Sequence, residues 1–248
     1  MNHEVAQSSG DIADWNRIAD NYVAQAGEPD PLDNPMYGQI HDVLWDSLGD
    51  LNGLEVLDLG CGDGWLSRMM VDAGARVTGV DGAEALLSFA RSRCPDSEFV
   101  ESNLVGGLPP FGKRFDRVVS TMVLMDIPDL TVLTQDVGQA LTESGRFIFT
   151  ILHPCFFQYK IHFDKADGEW YRRVTSYMDE QVWRIDSFGG HNHYHRNLTY
   201  YANALQGAGM AITRLYEPVW DPPDGERREV VRRWPICLLI EARPMPRR

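Results

Sequence analysis

Short apolar runs alternate with amphipathic stretches along most of this chain. Five of the runs have the length and the β-branched or aromatic content of strands, and they are residues 56–58, 76–81, 99–104, 115–120 and 145–152. Between them, apolar side chains recur at helical spacing, so we expect helices between the strands. Strands that alternate with helices are typical of a parallel sheet with helices on both faces, which predicts an α/β fold.

The pattern changes toward the C-terminus. Residues 198–206 predict a helix that ends at Gly207 and Gly209. Two further strands, 211–216 and 235–242, follow with too few residues between them for the helical crossover that a parallel pair requires. We therefore expect these two strands to pair antiparallel, as a hairpin with a long loop.

The N-terminal region precedes the first strand and is predicted to be helical. Residues 11–25 place Trp15 and Tyr22 on one apolar helical face. A loop with three prolines, at residues 27–37, separates this helix from a second one at 40–48. Both segments lie outside the predicted sheet, so they are candidates to cover a site on it.

A larger segment, residues 153–195, is inserted after the fifth strand and is rich in aromatic and histidine side chains. So long a connection without a simple helix indicates a functional lid. Within it, 170–177 and 181–188 have strand character and predict a hairpin across the short turn between them. The glycines at 189–190 indicate a loop, and not a strand, for 191–195.

Length and composition fit one domain. With 248 residues, 44% of them apolar, the chain can bury one sizeable core. We expect a helical cap at 1–50, a core formed by 54–152 and 196–243, and the lid at 153–195. The sequence shows neither an apolar run of membrane-spanning length nor a signal-peptide pattern, and its four cysteines are scattered. These features predict a cytoplasmic location and no membrane span.

Charge is distributed unevenly. Residues 1–150 carry a net charge of −15 and residues 151–248 a net charge of +2. The basic cluster at 227–233 is small and interleaved with acids. Because nucleic acids and anionic membrane surfaces require basic patches, both are disfavoured as partners.

The most specific chemical signal is Val-Leu-Asp-Leu-Gly-Cys-Gly-Asp-Gly at residues 56–64. Glycines at alternate positions after a strand let a ligand lie against the main chain, and the next helix points its N-terminus at that ligand. The spacing differs from the dinucleotide fingerprint G-x-G-x-x-G, because Gly64 follows Gly62 by two residues. Asp58 at the strand tip also suits a cationic ligand better than a pyrophosphate.

These residues resemble the first motif, D/E-x-G-x-G-x-G, of the class I S-adenosylmethionine-dependent methyltransferases, and residues 54–242 as a whole are similar to the small-molecule subgroup of that family. The resemblance implies a Rossmann-like, doubly wound seven-stranded sheet with the last strand antiparallel. N-terminal helices and an aromatic lid insertion add to it here. The resemblance also implies S-adenosylmethionine as cofactor and S-adenosylhomocysteine as product.

The expected cofactor contacts follow the strand tips. Asp81 ends the second strand about twenty residues after the glycines, where an acid accepts hydrogen bonds from ribose hydroxyls. The resemblance places Asn103 at the adenine amino group, with Leu104 beside the base, and Tyr22 near the methionine end or the substrate. The full set of expected cofactor contacts is Asp58, Gly60, Cys61, Gly62, Asp81, Gly82, Asn103, Leu104, Thr121 and Tyr22.

The methyl acceptor is expected between the strand ends and the lid. A hydroxyl or ring nitrogen must lose a proton when it attacks, and imidazole can accept that proton near neutral pH. His153, directly after the fifth strand, and His195, at the end of the lid, are therefore candidate general bases. The alternative is that they only position the acceptor. The candidate substrate contacts are Asp126, Phe156, His191 and Tyr194.

The histidines at positions 191 and 195 have a second interpretation, as metal ligands. His191, His193 and His195 alternate along the chain and would share one strand face, as zinc ligands can. No acid follows at a suitable spacing, so we expect no metal. In the family, His often stands where this chain has Asp126, so any histidine role at that point is in doubt.

The leading functional hypothesis is transfer of a methyl group from S-adenosylmethionine to an O or N atom of a small aromatic or heterocyclic metabolite. Methylation of carbon in a quinone-type or other small acceptor uses the same cofactor site and stays open, as does a non-catalytic S-adenosylmethionine-binding module. The glycine spacing and the terminal antiparallel pair disfavour an NAD-dependent oxidoreductase. The expected partner is a small-molecule acceptor, and the chain is expected to be a monomer or homodimer.

Overall fold

The computed structural model describes residues 3–26, 35–157, 163–219 and 232–246, and these ranges contain eleven strands and six α-helices. The strands are β1 (Glu55–Leu59), β2 (Arg76–Asp81), β3 (Glu98–Glu101), β4 (Phe115–Thr121), β5 (Leu141–Leu152), β6 (Phe163–Ala166), β7 (Glu169–Arg172), β8 (Gln181–Ile185), β9 (His191–His195), β10 (Met210–Tyr216) and β11 (Cys237–Pro244). The helices are α1 (His3–Ala26), α2 (Pro35–Leu48), α3 (Trp65–Asp72), α4 (Glu84–Arg93), α5 (Thr131–Ala140) and α6 (Leu198–Gly207).

Seven of the strands form one sheet in the order β10-β11-β5-β4-β1-β2-β3. β1 to β5 are parallel to their neighbours among themselves, and β11 is antiparallel to both β5 and β10. The predicted seven-stranded α/β sheet with a reversed last strand is therefore confirmed. β1 lies near the centre, so the glycine-rich turn that follows it opens at the middle of one sheet edge.

Along the central strands, alternate side chains pack into two apolar layers, one on each face of the sheet. Leu57 and Leu59 belong to the layer completed by α5 and α6, whereas Val56 faces the layer completed by α2 and α3. Both layers consist of residues almost inaccessible to solvent, and Leu57, Leu59 and Val56 are fully buried. A strand covered on both faces is apolar throughout, which explains the continuous apolar runs in the sequence.

The N-terminal helix packs on α4. Ala19 of α1 contacts Ala83 and Leu86 in a small buried cluster, which Trp15 and Tyr22 complete. α1 begins at His3, earlier than the predicted start at residue 11, and β5 begins at Leu141, earlier than the predicted 145. In both cases the additional residues are mostly polar, so the apolar pattern did not reveal them.

The predicted pairing within the lid is wrong. β6 pairs with β7, and β8 pairs with β9, instead of 170–177 pairing with 181–188. The β6–β7 turn is Asp167-Gly168, with φ of 54° and 80°. Both values are positive, as the tightest hairpin turns require, and Asp-Gly is a strong signal for such a turn.

The second hairpin corrects the expectation for residues 191–195, which form a strand and not a loop. Gly189 and Gly190, with φ of 112° and 99°, lie in the loop between β8 and β9. The two glycines thus provide the reversal before the strand, because glycine adopts positive φ without steric cost.

Some of the predicted features fall outside the residues that the structure describes, namely most of the loop at 27–37 and much of the basic cluster at 227–233. Across the described ranges, none of the helices has the length and apolarity needed to cross a bilayer.

Candidate active site

A cavity of about 530 Å³ opens at the carboxyl ends of the parallel strands. Its floor consists of the turn after β1, the tip of β2, the segment after β3 and the end of β4, and residues of α1 and of the β8–β9 hairpin close over it. Ligands of open α/β sheets bind at this edge, and the volume lies within the usual range for small-molecule sites. The fold therefore places the glycine motif at the floor of this cavity.

Two glycines of the turn, Gly60 and Gly64, have no room for a side chain. Gly60 has a φ of 73°, and a Cβ there would lie 2.4 Å from Cγ1 of Val123. Gly64, with a φ of 77°, would place a Cβ 2.7 Å from the Cα of Ala90. Glycine is required at both positions on two counts, conformation and space. α3 starts immediately after this turn, so its free N–H groups face the same region.

Asp81 fixes the tip of β2 against this turn. Its carboxylate accepts hydrogen bonds from the backbone N–H of Gly62 at 2.9 Å and from that of Ala83 at 2.8 Å. Burial raises the pKa of Asp81 while these hydrogen bonds lower it. A carboxylate so placed, at the end of the second strand and lining the cavity, has the location that binding of ribose hydroxyls requires.

Asp58 and Asp63 anchor the same turn from below. Asp58 is buried and accepts a hydrogen bond from Ser67 Oγ of α3 at 2.5 Å, and burial raises its pKa to about 7. Asp63 accepts a hydrogen bond from the guanidinium of Arg93 at 2.8 Å. Both side chains line the cavity.

Other expected cofactor contacts lie around the floor. Asn103 Oδ1 accepts hydrogen bonds from Ser8 Oγ at 2.8 Å and from the Val105 backbone N–H at 3.1 Å, so α1 and the segment after β3 are joined at this side chain. Leu104 is buried beside it. The hydroxyl of Tyr22 lies 4.0 Å from the point where a Cβ of Gly62 would be. The structure brings all ten expected cofactor contacts to the cavity wall, the remaining members being Gly60, Cys61, Gly82 and Thr121.

The cavity lining carries charged side chains of one sign. Five carboxylates line it, those of Asp11, Asp58, Asp63, Asp81 and Asp126, and the lining residues that the structure describes include neither lysine nor arginine. Such a lining favours ligands that carry positive charge.

The wall under the lid is formed by Asp126 and by residues of β9. Burial is the main reason that the pKa of Asp126 is raised, and its Oδ1 has no hydrogen-bond partner in the structure. His191 and His193 also line the cavity, and burial lowers their pKa values to about 4 and about 3. Both imidazoles are therefore neutral near pH 7.

The two predicted general bases lie outside the described cavity lining. His153 turns toward Glu217, with Nε2 and Oε1 2.7 Å apart, and its Nδ1 accepts hydrogen bonds from the backbone N–H groups of Cys155 and Phe156. His195 Nε2 lies 3.1 Å from the carbonyl oxygen of Tyr177, and its ring stacks on Trp183 at 4.8 Å. In this geometry both imidazoles have structural partners, and neither is placed to accept a proton from an acceptor.

Of the four expected substrate contacts, two line the cavity and two do not. Asp126 and His191 line the cavity, whereas Phe156 and Tyr194 lie behind its wall. Phe156 packs on the ring of His153 at 4.7 Å. Tyr194 donates a hydrogen bond from its hydroxyl to Asp11 Oδ2 at 2.5 Å, so it supports a lining residue instead of lining the cavity itself.

Sequence reasoning missed Ser8, Asp11, Phe157 and His193 as cavity-lining residues. The signal for Asp11 was available, because residues 8, 11, 15 and 22 share one helical face with the expected cofactor contact Tyr22. For the residues of the lid, no such signal existed, because their placement depends on hairpin pairing. Within the described ranges, no group of three or more histidine, cysteine or acidic side chains is arranged to hold a metal ion.

Comparisons with known proteins agree with this geometry. A family model described as a methyltransferase domain matches residues 56–145. A demethylmenaquinone methyltransferase of Tropheryma whipplei is 31% identical over 134 residues, which are 52% of this chain and 55% of that protein. A ubiquinone biosynthesis O-methyltransferase of Idiomarina loihiensis is 32% identical over 152 residues, which are 58% of this chain and 60% of that protein. The match thus spans little more than half the length of these curated relatives.

A solved structure matches over a longer span. The crystal structure of an S-adenosylmethionine dependent methyltransferase from Mesorhizobium loti superimposes with a TM-score of 0.70 at 29% sequence identity. The superposition covers 83% of this chain and 97% of that one. The similarity therefore extends well beyond the glycine motif.

Proposed function

Because this chain belongs to the class I S-adenosylmethionine-dependent methyltransferases, we propose that it binds S-adenosylmethionine in the cavity at the strand ends and methylates a small molecule beneath the lid. The observation that carries the proposal is the joint geometry of Asp81 and the glycine turn in a cavity whose charged lining residues are acidic. A sulfonium nucleoside with an ammonium group matches both features.

The residues of the floor would hold the cofactor. The backbone of the glycine turn leaves space for the methionine portion, Asp81 would accept hydrogen bonds from the ribose hydroxyls, and Asn103 and Leu104 would contact the adenine. When bound, S-adenosylmethionine supplies an electrophilic methyl group on a positively charged sulfur. The chain contributes chiefly position and exclusion of water, since α1 and the lid cover the cavity.

An O or N atom of a small aromatic or heterocyclic molecule is the acceptor that we propose. The aromatic side chains of Trp15, Phe157 and Phe188 line the cavity and provide flat apolar walls. The cavity imidazoles of His191 and His193 have lowered pKa values and are weak bases. Weak bases are better suited to heteroatom nucleophiles than to abstraction of a proton from carbon. Carbon methylation stays the second candidate, because one relative is named a demethylmenaquinone methyltransferase.

The experiment that tests this proposal uses S-adenosylmethionine labelled with ¹³C in the transferred methyl group. The protein is incubated with a phenol panel, a panel of aromatic nitrogen heterocycles and amines, and a panel of quinols. NMR then identifies the methylated atom, because methyl groups on O, N and C have distinct chemical shifts. We expect labelled O-methyl or N-methyl product together with S-adenosylhomocysteine.

Two variants define the controls. Asp81→Ala should give no product, whereas Asp42→Ala, on the exposed surface of α2, should match the wild type. Label found only on carbon would overturn the O or N assignment. Binding of S-adenosylhomocysteine without turnover of any panel would contradict the proposed activity and favour a binding module.

A further inference from the structure

Two carboxylates near the lid side of the cavity stand apart from those at the glycine turn. Asp58 lies close enough to both Asp63 and Asp81 for their negative charges to raise its pKa. Asp126 is instead influenced by Asp11 and by the guanidinium of Arg196. The cavity thus has one set of acidic side chains at the glycine turn and a second set near the lid. We call the second set, Asp11 and Asp126, the acid pair.

The acid pair is held by the elements that close the cavity. β9 packs against both α1 and the turn Leu124–Asp126. Asp11 of α1 is 6% exposed and accepts hydrogen bonds from the Tyr194 hydroxyl at 2.5 Å and from Asn192 Nδ2 at 2.8 Å. Arg196, the guanidinium that acts on Asp126, donates to the backbone carbonyls of Leu124 and Ile127, and Arg184, which acts on Asp11, pairs with Asp14. Among the described residues, no ion pair therefore offsets the negative charge that the acid pair carries when it is ionised.

Independent evidence for a ligand comes from unpartnered polar atoms on the same wall. Oδ1 of Asp126, Oγ1 of Thr121, and Nδ1 of both His191 and His193 are buried without a hydrogen-bond partner, and all four residues line the cavity. His193 is only 4% exposed and His191 8%. Buried polar atoms normally have partners, and leaving one unpaired is unfavourable. Four such atoms on one wall indicate a ligand with polar groups, and the ionised carboxylate of Asp126 among them accepts only from a donor.

The apolar surroundings define the rest of that ligand. Trp15 lies 4.7 Å from the ring of His191, and Phe157 lies 5.6 Å from the ring of His193. A flat apolar group is accommodated between such rings. The donor end of the ligand must meet carboxylates, for which a cation with several N–H groups is the best match.

We propose that the methyl acceptor is an amine, bound in its protonated form on a flat apolar group, with the ammonium held by the carboxylates of Asp11 and Asp126. This inference rests on the proposed function, because it names the substrate class for the same cavity. An alcohol or phenol would leave the acid pair without a counter-charge, and a carboxylic acid would be repelled by it.

The chemistry balances for this acceptor. The ammonium first gives one proton to a carboxylate of the acid pair, which frees the nitrogen lone pair. An N–C bond then forms to the transferred methyl group while the S–C bond breaks, and the electron pair of that bond stays on sulfur. The methylated amine leaves as an ammonium ion, and the proton on the carboxylate passes to water. Net, one proton is released for each methyl group transferred.

Calorimetry with matched probes tests the inference apart from catalysis. Protein saturated with S-adenosylhomocysteine is titrated with phenethylamine, 2-phenylethanol and phenylacetate, which share one aromatic group and differ in charge. We expect the amine to bind about tenfold more tightly than the alcohol, as a charge-assisted hydrogen bond predicts, and phenylacetate to bind least.

Variants of the acid pair identify the cause. Asp126→Asn should reduce the preference for the amine to about twofold or less while leaving S-adenosylhomocysteine affinity unchanged. Asp129→Asn, three residues along and outside the described cavity lining, should keep the full preference. Asp11→Asn, which retains an acceptor for Tyr194, is the second variant should the first fail to fold.

The outcomes separate the two proposals. Failure of the wild type to bind S-adenosylhomocysteine would contradict the proposed function. Normal binding of S-adenosylhomocysteine would leave that function intact. The amine inference would then be overturned if phenethylamine did not bind, if the alcohol or the acid bound equally well, or if the preference survived in both variants.

Discussion

Of the glycines in the turn after β1, Gly60 leaves the least space for a side chain. The side chain it meets belongs to Val123, whose own position depends on Met122. Met122 has a left-handed φ of 57°, a conformation that residues other than glycine rarely adopt. Strain of this kind persists where the surrounding structure fixes it, and it is concentrated at functional sites. Met122 itself lines the cavity.

Substitution Gly60→Ala should therefore lower the free energy of unfolding by more than the positive φ of this residue alone would. Gly49 is the matched control, because it has a similar φ of 69° but nothing within 4 Å of the point that an alanine Cβ would occupy, whereas Gly60 has φ of 73° and a contact at 2.4 Å. Left-handed backbone costs an alanine about 1–2 kcal/mol at either site. We expect Gly49→Ala to lose that amount of unfolding free energy and to bind S-adenosylhomocysteine normally.

Gly60→Ala should lose more stability than the control and should bind S-adenosylhomocysteine at least about tenfold more weakly, since overpacking adds about 1–3 kcal/mol and displaces the turn. Urea denaturation and calorimetry measure the two effects. Equal losses of stability in the two variants, with unchanged affinity, would show that the close approach of Val123 to Gly60 has no role in shaping the site.

At the residue scale, the sequence predicted the floor of the cavity better than the wall under the lid. Gly60, Asp81 and Asn103 follow strands whose ends must meet at one sheet edge, so their proximity is set by topology. His153 also follows a strand, yet its ring turns to Glu217, a residue 64 positions later. Side-chain direction after a strand depends on such distant partners, which one sequence does not reveal.

Among the elements, α1 and the β8–β9 hairpin act together as the cover of the cavity. Arg17 donates hydrogen bonds to the backbone carbonyl of Gly189 at 3.2 Å, and Arg184 pairs with Asp14. Inside this polar rim, Trp15 packs on His191. The cover is therefore joined by contacts between two elements far apart in sequence, and its stability depends on both.

Acid should weaken this cover through His193. Its pKa is lowered to about 3 by burial and by the neighbouring charges of His195, His191 and Arg196, against an ordinary value of 6.5. A histidine with a depressed pKa contributes stability above its ordinary pKa and loses it as pH falls. Below about pH 6.5 the unfolded chain binds a proton that the folded chain does not, which removes about 1.4 kcal/mol for each pH unit.

The variant His193→Gln tests this sign. Urea denaturation of wild type and variant should show equal pH slopes of unfolding free energy above about pH 7.5 and a steeper loss in the wild type between about pH 6 and 5. Asp58, whose pKa is raised to about 7, contributes to both proteins alike and cancels in the difference. Identical slopes in the acid range would mean that His193 is protonated in the folded protein and is not buried as described.

In the lid, the pairing of strands was harder to predict than the presence of strands. The sequence predicted strand character at 170–177 and 181–188, where β7 and β8 lie, but predicted neither β6 nor β9. The partner of each strand depends on turns. Asp167-Gly168 carried the stronger turn signal, and the segment that follows β8 required both Gly189 and Gly190 to reverse. Residues 191–195 then became a strand because β8 offers a neighbouring edge, which composition alone does not show.

For the whole molecule, the sheet order decides where the cavity lies. β1 and β4 are adjacent at the centre, with β2 on the other side of β1, so the glycine turn, Asp81 and Asp126 converge on one cavity. The reversed β11 between β5 and β10 completes the sheet. The antiparallel pairing of β10 with β11 was predictable from element lengths, because the two strands leave no room for a crossover helix, whereas the arrangement of the whole sheet was expected from the family resemblance. The acidic half of the chain supplies all five carboxylates of the cavity.

Calorimetric titration of S-adenosylmethionine, S-adenosylhomocysteine and NAD into the wild type and Asp81→Asn tests the central claim most directly. We predict micromolar binding of both adenosyl ligands to the wild type, no binding of NAD, and a loss of about a hundredfold in the variant, since two charge-assisted ribose hydrogen bonds are weakened. Absence of binding by the adenosyl ligands, or binding of NAD in their place, would contradict the assignment of this cavity.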